Sequence, residues 1–129
     1  MMIMLRNIYD DLADQFEYGN MSDEEAVKIC NTIISDSIGE KDSEILEAMY
    51  HAVFTTAMNR NISNKLVLDS IVDKIDIFNE SAADYIISIL AFTGRADYID
   101  VIKSVGERYP DLDIDEALME LEARRDLVE

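Results

Sequence analysis

Apolar residues recur at intervals of three and four along almost the whole chain, and alternating strand patterns are absent. In residues 3–18, Leu5, Ile8, Leu12 and Phe16 form one helical face, and Gly19 ends it. Ser22 and Glu25 make a capping box for a second helix that turns Ala26, Cys30, Ile33 and Ile34 inward, with Gly39 beyond its end. A third helix starts near Asp42 or Ser43 and buries Ile45, Met49, Ala52, Val53 and Thr56. The spacing predicts a fourth over 64–78, with Val67, Ile71, Ile75 and Phe78 in line. Asn79 caps a fifth over 80–93 and Gly94 closes it. A sixth enters at Asp97, reaches Tyr109 and is stopped by Pro110. Asp113 starts the last, which continues to Leu127.

The fifth helix is apolar around most of its circumference: Ala82, Ala83, Tyr85, Ile86, Ile87, Ile89, Leu90, Ala91 and Phe92. Such a helix is packed on several sides and belongs in the middle of a stack. The corner in AFTGRADYIDVI (91–102) is short enough to predict that the helices it joins lie side by side and antiparallel. EILEAMYHAVFTTA (44–57) and ESAADYIISILAFT (80–93) place large apolar residues at similar steps 36 residues apart, and each precedes a second amphipathic segment, 65–78 and 97–109. Helix pairs at that period suggest an α-solenoid of the HEAT or armadillo kind. The expected fold is therefore all-α, one domain over 1–129, with about seven helices in stacked antiparallel pairs. A compact helical bundle is the alternative.

Charge changes the picture next. The chain carries 28 acidic and 11 basic residues, a formal net charge of −17. The excess is spread along it: residues 1–64 hold 12 acids and 4 bases, and residues 65–129 hold 16 and 7. Half the residues are apolar, so this is no disordered acidic tail. A body this negative repels phosphate and anionic lipid, which disfavours nucleic-acid and membrane binding. It favours a basic protein partner, although charge that merely keeps the chain in solution would look the same. Cys30 is the only cysteine, so an internal disulfide is excluded and a reducing compartment fits. The start MMIML has no basic run before it and is too short for a signal peptide or a span. A cytoplasmic protein is expected.

The acids fall on stripes. Asp69, Asp73, Asp76 and Glu80 step by four, three and four, and Asp10, Asp14, Glu17 and Asp113, Glu116, Glu120 repeat that spacing. Like charges so placed cost an isolated helix about 0.2–0.5 kcal/mol per pair, and a surface built for stability would interleave lysines. A docking face for arginine and lysine side chains is the functional reading; an ordinary solvated face is the plain one. The candidate partner-binding residues are Asp69, Asp73, Asp76 and Glu80, then Asp97, Tyr98 and Asp100, then the corner of Tyr109, Asp111 and Asp113. Tyrosine beside aspartate is a common make-up for a specific protein-binding patch, and Tyr9 also qualifies, whereas Tyr50 and Tyr85 fit the edge of a core better.

Other chemistry finds little support. DLDIDEALMELE (111–122) has acids at the first, third, fifth and twelfth places of a calcium loop, but its sixth place is Glu116 where the sharp turn needs glycine. Asp113 as a helix cap accounts for the segment more simply. His51 is the only histidine, on a polar face with Glu44, Glu47 and Thr55, and Cys30 lies on an apolar stripe. Neither has companions for a zinc site or a nucleophile–base pair. Glycine-rich phosphate loops are absent, so no metal, cofactor or enzymatic role is expected.

ILAFTGRADYIDVIKS (89–104), followed by RYPDLDIDEALMEL (108–121), resembles the closing part of helical immunity proteins of bacterial polymorphic-toxin and contact-dependent growth-inhibition systems. The likeness in architecture covers the whole chain and is tightest in its last third. It implies a protein that binds the toxic C-terminal domain of a large secreted protein, many such domains being nucleases with basic clefts. The resemblance carries over no individual binding residue, so the candidate sites rest on the stripes. A helical adaptor or regulatory protein and a DNA-mimic inhibitor are the alternatives.

Overall fold

The computed structural model describes residues 22–60 and 62–128, and every regular element among them is helical. The α-helices are α1 (Asp23–Ser37), α2 (Ser43–Asn59), α3 (Asp69–Asp73), α4 (Glu80–Phe92), α5 (Ile99–Arg108) and α6 (Ile114–Val128). Short 3-10 turns cover Ser63–Lys65, Ile75–Ile77 and Ala96–Tyr98. Among the described residues there are thus six α-helices, where about seven were expected along the whole chain. The expected helix over 3–18, with Asp10, Asp14, Glu17 and Tyr9, lies outside the described residues.

Side-chain caps set four of the helix starts. Ser22 Oγ accepts from Glu25 N–H at 3.2 Å, and Asp42 Oδ1 from Glu44 and Ile45 N–H at 3.0 and 3.1 Å. Asn79 Oδ1 accepts from Ala82 N–H at 2.9 Å, and Asp113 Oδ1 from Glu116 N–H at 3.0 Å. Each satisfies a backbone donor that a helix leaves orphaned, a contribution of about 1 kcal/mol. Helix α5 has no such cap and grows out of the 3-10 turn that precedes it.

The core follows from the apolar faces. Ala26, Cys30, Ile33 and Ile34 of α1 and Ile45, Met49, Ala52, Val53 and Thr56 of α2 are all buried, as their spacing predicts. Helix α4 is the central element, packed chiefly against α2 on one side and α6 on the other. Ile86, Ile87, Ile89 and Leu90 are at most 1% exposed, and each such side chain contributes about 1.5–3 kcal/mol of burial. Tyr50 is fully buried, its ring edge-on to Phe78 at 5.5 Å, and its hydroxyl bonds Ser37 Oγ at 2.6 Å.

Two expectations need correcting. Residues 64–78 do not form one helix. Leu66 is extended (ψ 140°), and the Asn31 side chain of α1 takes the backbone on either side of it, accepting from Val67 N–H at 2.8 Å and donating to Lys65 C=O at 3.5 Å. An extended chain alternates, so Leu66 and Leu68 point inward while Val67 is 58% exposed instead of buried. The segment is a strap, pinned further on by buried Ile71 and Phe78. The second correction concerns the α4–α5 corner. It is as short as expected, closed by Gly94 at φ +68°. Yet α5 lies mainly against α6, and α4 meets α2 and α6 far more than it meets α5.

Candidate functional site: an acid-rimmed cleft

The broken strap separates residues that the sequence placed on one face. Asp69 and Asp73 lie in α3, Asp76 in the following 3-10 turn and Glu80 at the start of α4; all four are exposed, but they share no single helix. Asp76 pairs with Arg108 at 3.2 Å, which joins the strap to the end of α5. Beside it the Tyr109 hydroxyl donates to Phe78 C=O at 2.8 Å, so Tyr109 is half-buried and engaged in holding the strap.

Tyr98 corrects the sequence reading more sharply. Expected at the partner-facing surface, it is 5% exposed. Its ring sits beneath the Arg95 guanidinium at 5.2 Å. Burial raises its phenol above the ordinary value; Arg95 opposes the shift, and the nearby Asp69 and Asp97 carboxylates add to it. Asp97 is exposed and 3.6 Å from Arg95, while Asp100 and Asp111 are exposed. These pairs are solvated and each contributes roughly 0–1 kcal/mol.

Asp113 belongs to a different place. With Glu116 and Glu120 it lines one wall of a cleft of about 360 Å³ between α2, α4 and α6. The opposite wall brings Asp84 from α4, the one acid beyond the first turn of a helix given mainly to the core. Phe54 and Met58 of α2 and Ile87, Ala91 and Phe92 of α4 supply apolar lining. Four carboxylates and one guanidinium, that of Arg124, thus line the cleft together with these apolar side chains. Asp84, Asp113 and Glu116 are exposed and Glu120 is half-buried. A shallower hollow continues over the outer side of α6, lined by Asp115 and Met119 as well as the shared Asp113, Glu116 and Glu120. Met119 is 74% exposed and Met58 51%, so flexible apolar side chains stand among the acids.

The cleft has internal order. Arg124 Nε donates to Glu120 Oε1 at 2.7 Å, and its guanidinium lies 4.5 Å above the centre of the Phe92 ring. Phe92 stacks on Phe54 at 5.7 Å and 29°; Phe54 meets Tyr85 at 5.6 Å, and Tyr85 meets His51 at 5.8 Å. An aromatic row thus runs along the α2–α4 seam from exposed His51 into the cleft. The Asp113–Glu116–Glu120 stripe was readable from spacing. Asp84, Phe54, Met58 and Arg124 were not singled out, because only the contact of α2, α4 and α6 gives them a common purpose.

Among the described residues no helix is long and apolar enough to cross a membrane. Comparison of the chain with protein-family models, curated proteins and solved structures returns no match.

Proposed function

We propose that this protein is an immunity protein, which binds a cognate bacterial toxin domain in the cytoplasm and neutralises it. The toxin is a nuclease domain with a basic, phosphate-binding surface. The observation that carries the reading is the cleft: four carboxylates over an apolar floor, on a body of net charge −17. Dispersed negative charge speeds the encounter with a basic partner and fixes its orientation. Apolar and aromatic floor residues are the kind that supply binding energy once water is excluded. A purely solvated acidic face would lack such a floor. The exposed carboxylates of the strap, Asp69, Asp73 and Asp76, widen the negative field around the docking face.

The architecture is read as a short solenoid. Helices α2, α4 and α6 begin at Ser43, Glu80 and Ile114, steps of 37 and 34 residues, and each packs on the next. The strap and α5 are then the return elements, which makes one row of helices available as a continuous face.

The test is co-purification. Only this chain is tagged, and it is expressed with the C-terminal domain of the large secreted protein encoded immediately upstream. The expected result is a stoichiometric complex, and survival of the cells only when both are made. Harmless expression of the upstream domain alone, with no complex, overturns the proposal.

A further inference from the structure

We propose that the cleft between α2, α4 and α6 is an arginine socket: it takes one arginine side chain of the basic partner, guanidinium over the Phe54 ring and against the Asp84, Asp113 and Glu116 carboxylates. This rests on the reading of the protein as a binder of a basic protein domain, and it names the chemical group by which that domain is held.

One end of the cleft already displays the chemistry. Arg124 reaches in from α6, stacks on Phe92 at 4.5 Å and bonds Glu120 at 2.7 Å. The neighbouring stretch offers the same two elements again. Phe54 lines the same cleft beside Phe92, the two rings stacked at 5.7 Å and 29°, and three further carboxylates stand at the rim. Arg124 is the only cation in that lining, so the unfilled stretch is strongly negative. An arginine fits it in three ways. Its planar head stacks on an aromatic face, its forked donors can engage two carboxylates together, and its aliphatic stem covers Met58 and Ala91. A lysine offers a compact, strongly hydrated charge that forfeits both the stacking and the fork.

Charge also selects among occupants. A second copy of this chain, at net −17, would bring mainly carboxylates to a rim of carboxylates. Nucleic acid is repelled for the same reason. A basic protein surface is the complement.

The experiment titrates the full chain, carrying 13C-methyl label, with blocked tetra-arginine, tetra-lysine and tetra-citrulline peptides, and follows the methyl resonances of Met58, Ile87, Ala91 and Ala117. Citrulline keeps the shape of arginine without its charge. The expected result is saturable movement of these methyls with arginine and affinity about tenfold weaker for lysine, with none for citrulline. Replacing Asp84→Asn together with Glu116→Gln should weaken arginine binding about tenfold, whereas Glu24→Gln with Asp36→Asn, exposed on α1 and outside the cleft lining, should leave it unchanged. Neither pair includes the α6 cap, so both variants keep the fold. Equal binding of arginine and lysine, shifts spread over every acidic surface, or methyls that do not move would each overturn the socket. The two proposals fail separately. A toxin complex with no arginine response leaves the immunity reading standing on another face. An arginine response with no toxin complex leaves the socket and removes the toxin.

Discussion

Gly94→Ala tests how the α4–α5 corner sets the position of α6. Gly94 stands at φ +68°, a region where an L side chain costs about 1–2 kcal/mol. Strain is the smaller part of the effect. A Cβ at this position would lie 2.7 Å from Arg124 C and 2.8 Å from Arg124 O and Arg125 N. These are backbone atoms of a packed helix, so no rotamer change relieves the clash, and α6 must move. Overpacking of this kind typically costs about 1–3 kcal/mol, which brings the total to about 2–5 kcal/mol. For a domain with roughly 5–15 kcal/mol of stability that is a large share. Urea unfolding followed by far-UV circular dichroism reads it as a lower midpoint at unchanged slope. Gly94→Asn separates the causes: asparagine tolerates this φ but keeps the Cβ, so a loss close to that of alanine assigns the effect to the clash. Gly39→Ala is the control, because an added Cβ there meets nothing nearer than the Asp36 carbonyl oxygen at 4.0 Å. It should change stability by no more than about 0.5 kcal/mol. Stability of Gly94→Ala within that same margin would refute the close approach of the corner to α6.

Two more predictions concern the strap and the core. Asn31→Ala removes the side chain that holds Lys65 and Val67, and should cost about 1 kcal/mol while the Val67 amide exchanges roughly tenfold faster with solvent; unchanged exchange at Val67 would contradict the clamp. Alkali should destabilise the fold in two overlapping stages: burial pushes the Cys30 thiol from 9.0 up to about 11 and the Tyr50 phenol from 10.0 up to about 12, the latter against the Ser37 hydrogen bond. The unfolded chain releases these protons first, so stability is complete below about pH 9 and falls as pH rises through 9–11 for Cys30 and 10–12 for Tyr50, each group contributing about 2–3 kcal/mol at most. Urea midpoints measured across this range should fall for the wild type and fall later for Cys30→Ala; identical profiles would remove Cys30 from the account.

The capped helices were legible because their signals are local. Ser22, Asp42, Asn79 and Asp113 each act on residues two or three positions ahead, and the buried faces of α1 and α2 follow from spacing alone. The strap was not legible, because Asn31 acts on Val67 from 36 residues away. A helical register over 64–78 and an extended one at Leu66 and Leu68 both bury apolar side chains, and a tertiary hydrogen bond selects between them. Tyrosines divided for a similar reason. Tyr98 and Tyr109 look alike beside their aspartates, yet one ring is buried under Arg95 and the other braces Phe78. The cleft was half-written: its α6 wall is a stripe, but Asp84 gains a meaning only when α4 and α6 are neighbours.

Asp113 alone among the rim acids of the cleft also caps a helix through its side chain. That double duty restricts its alphabet. Asparagine, serine or threonine preserves the cap, so the rim can lose one negative charge there with α6 intact. A basic or aliphatic residue would change recognition and loosen the helix in the same stroke. Asp84 and Glu116 carry no such tether. A lineage of these proteins adapting to altered partners could therefore drift widely at 84 and 116, while 113 moves only among short polar residues.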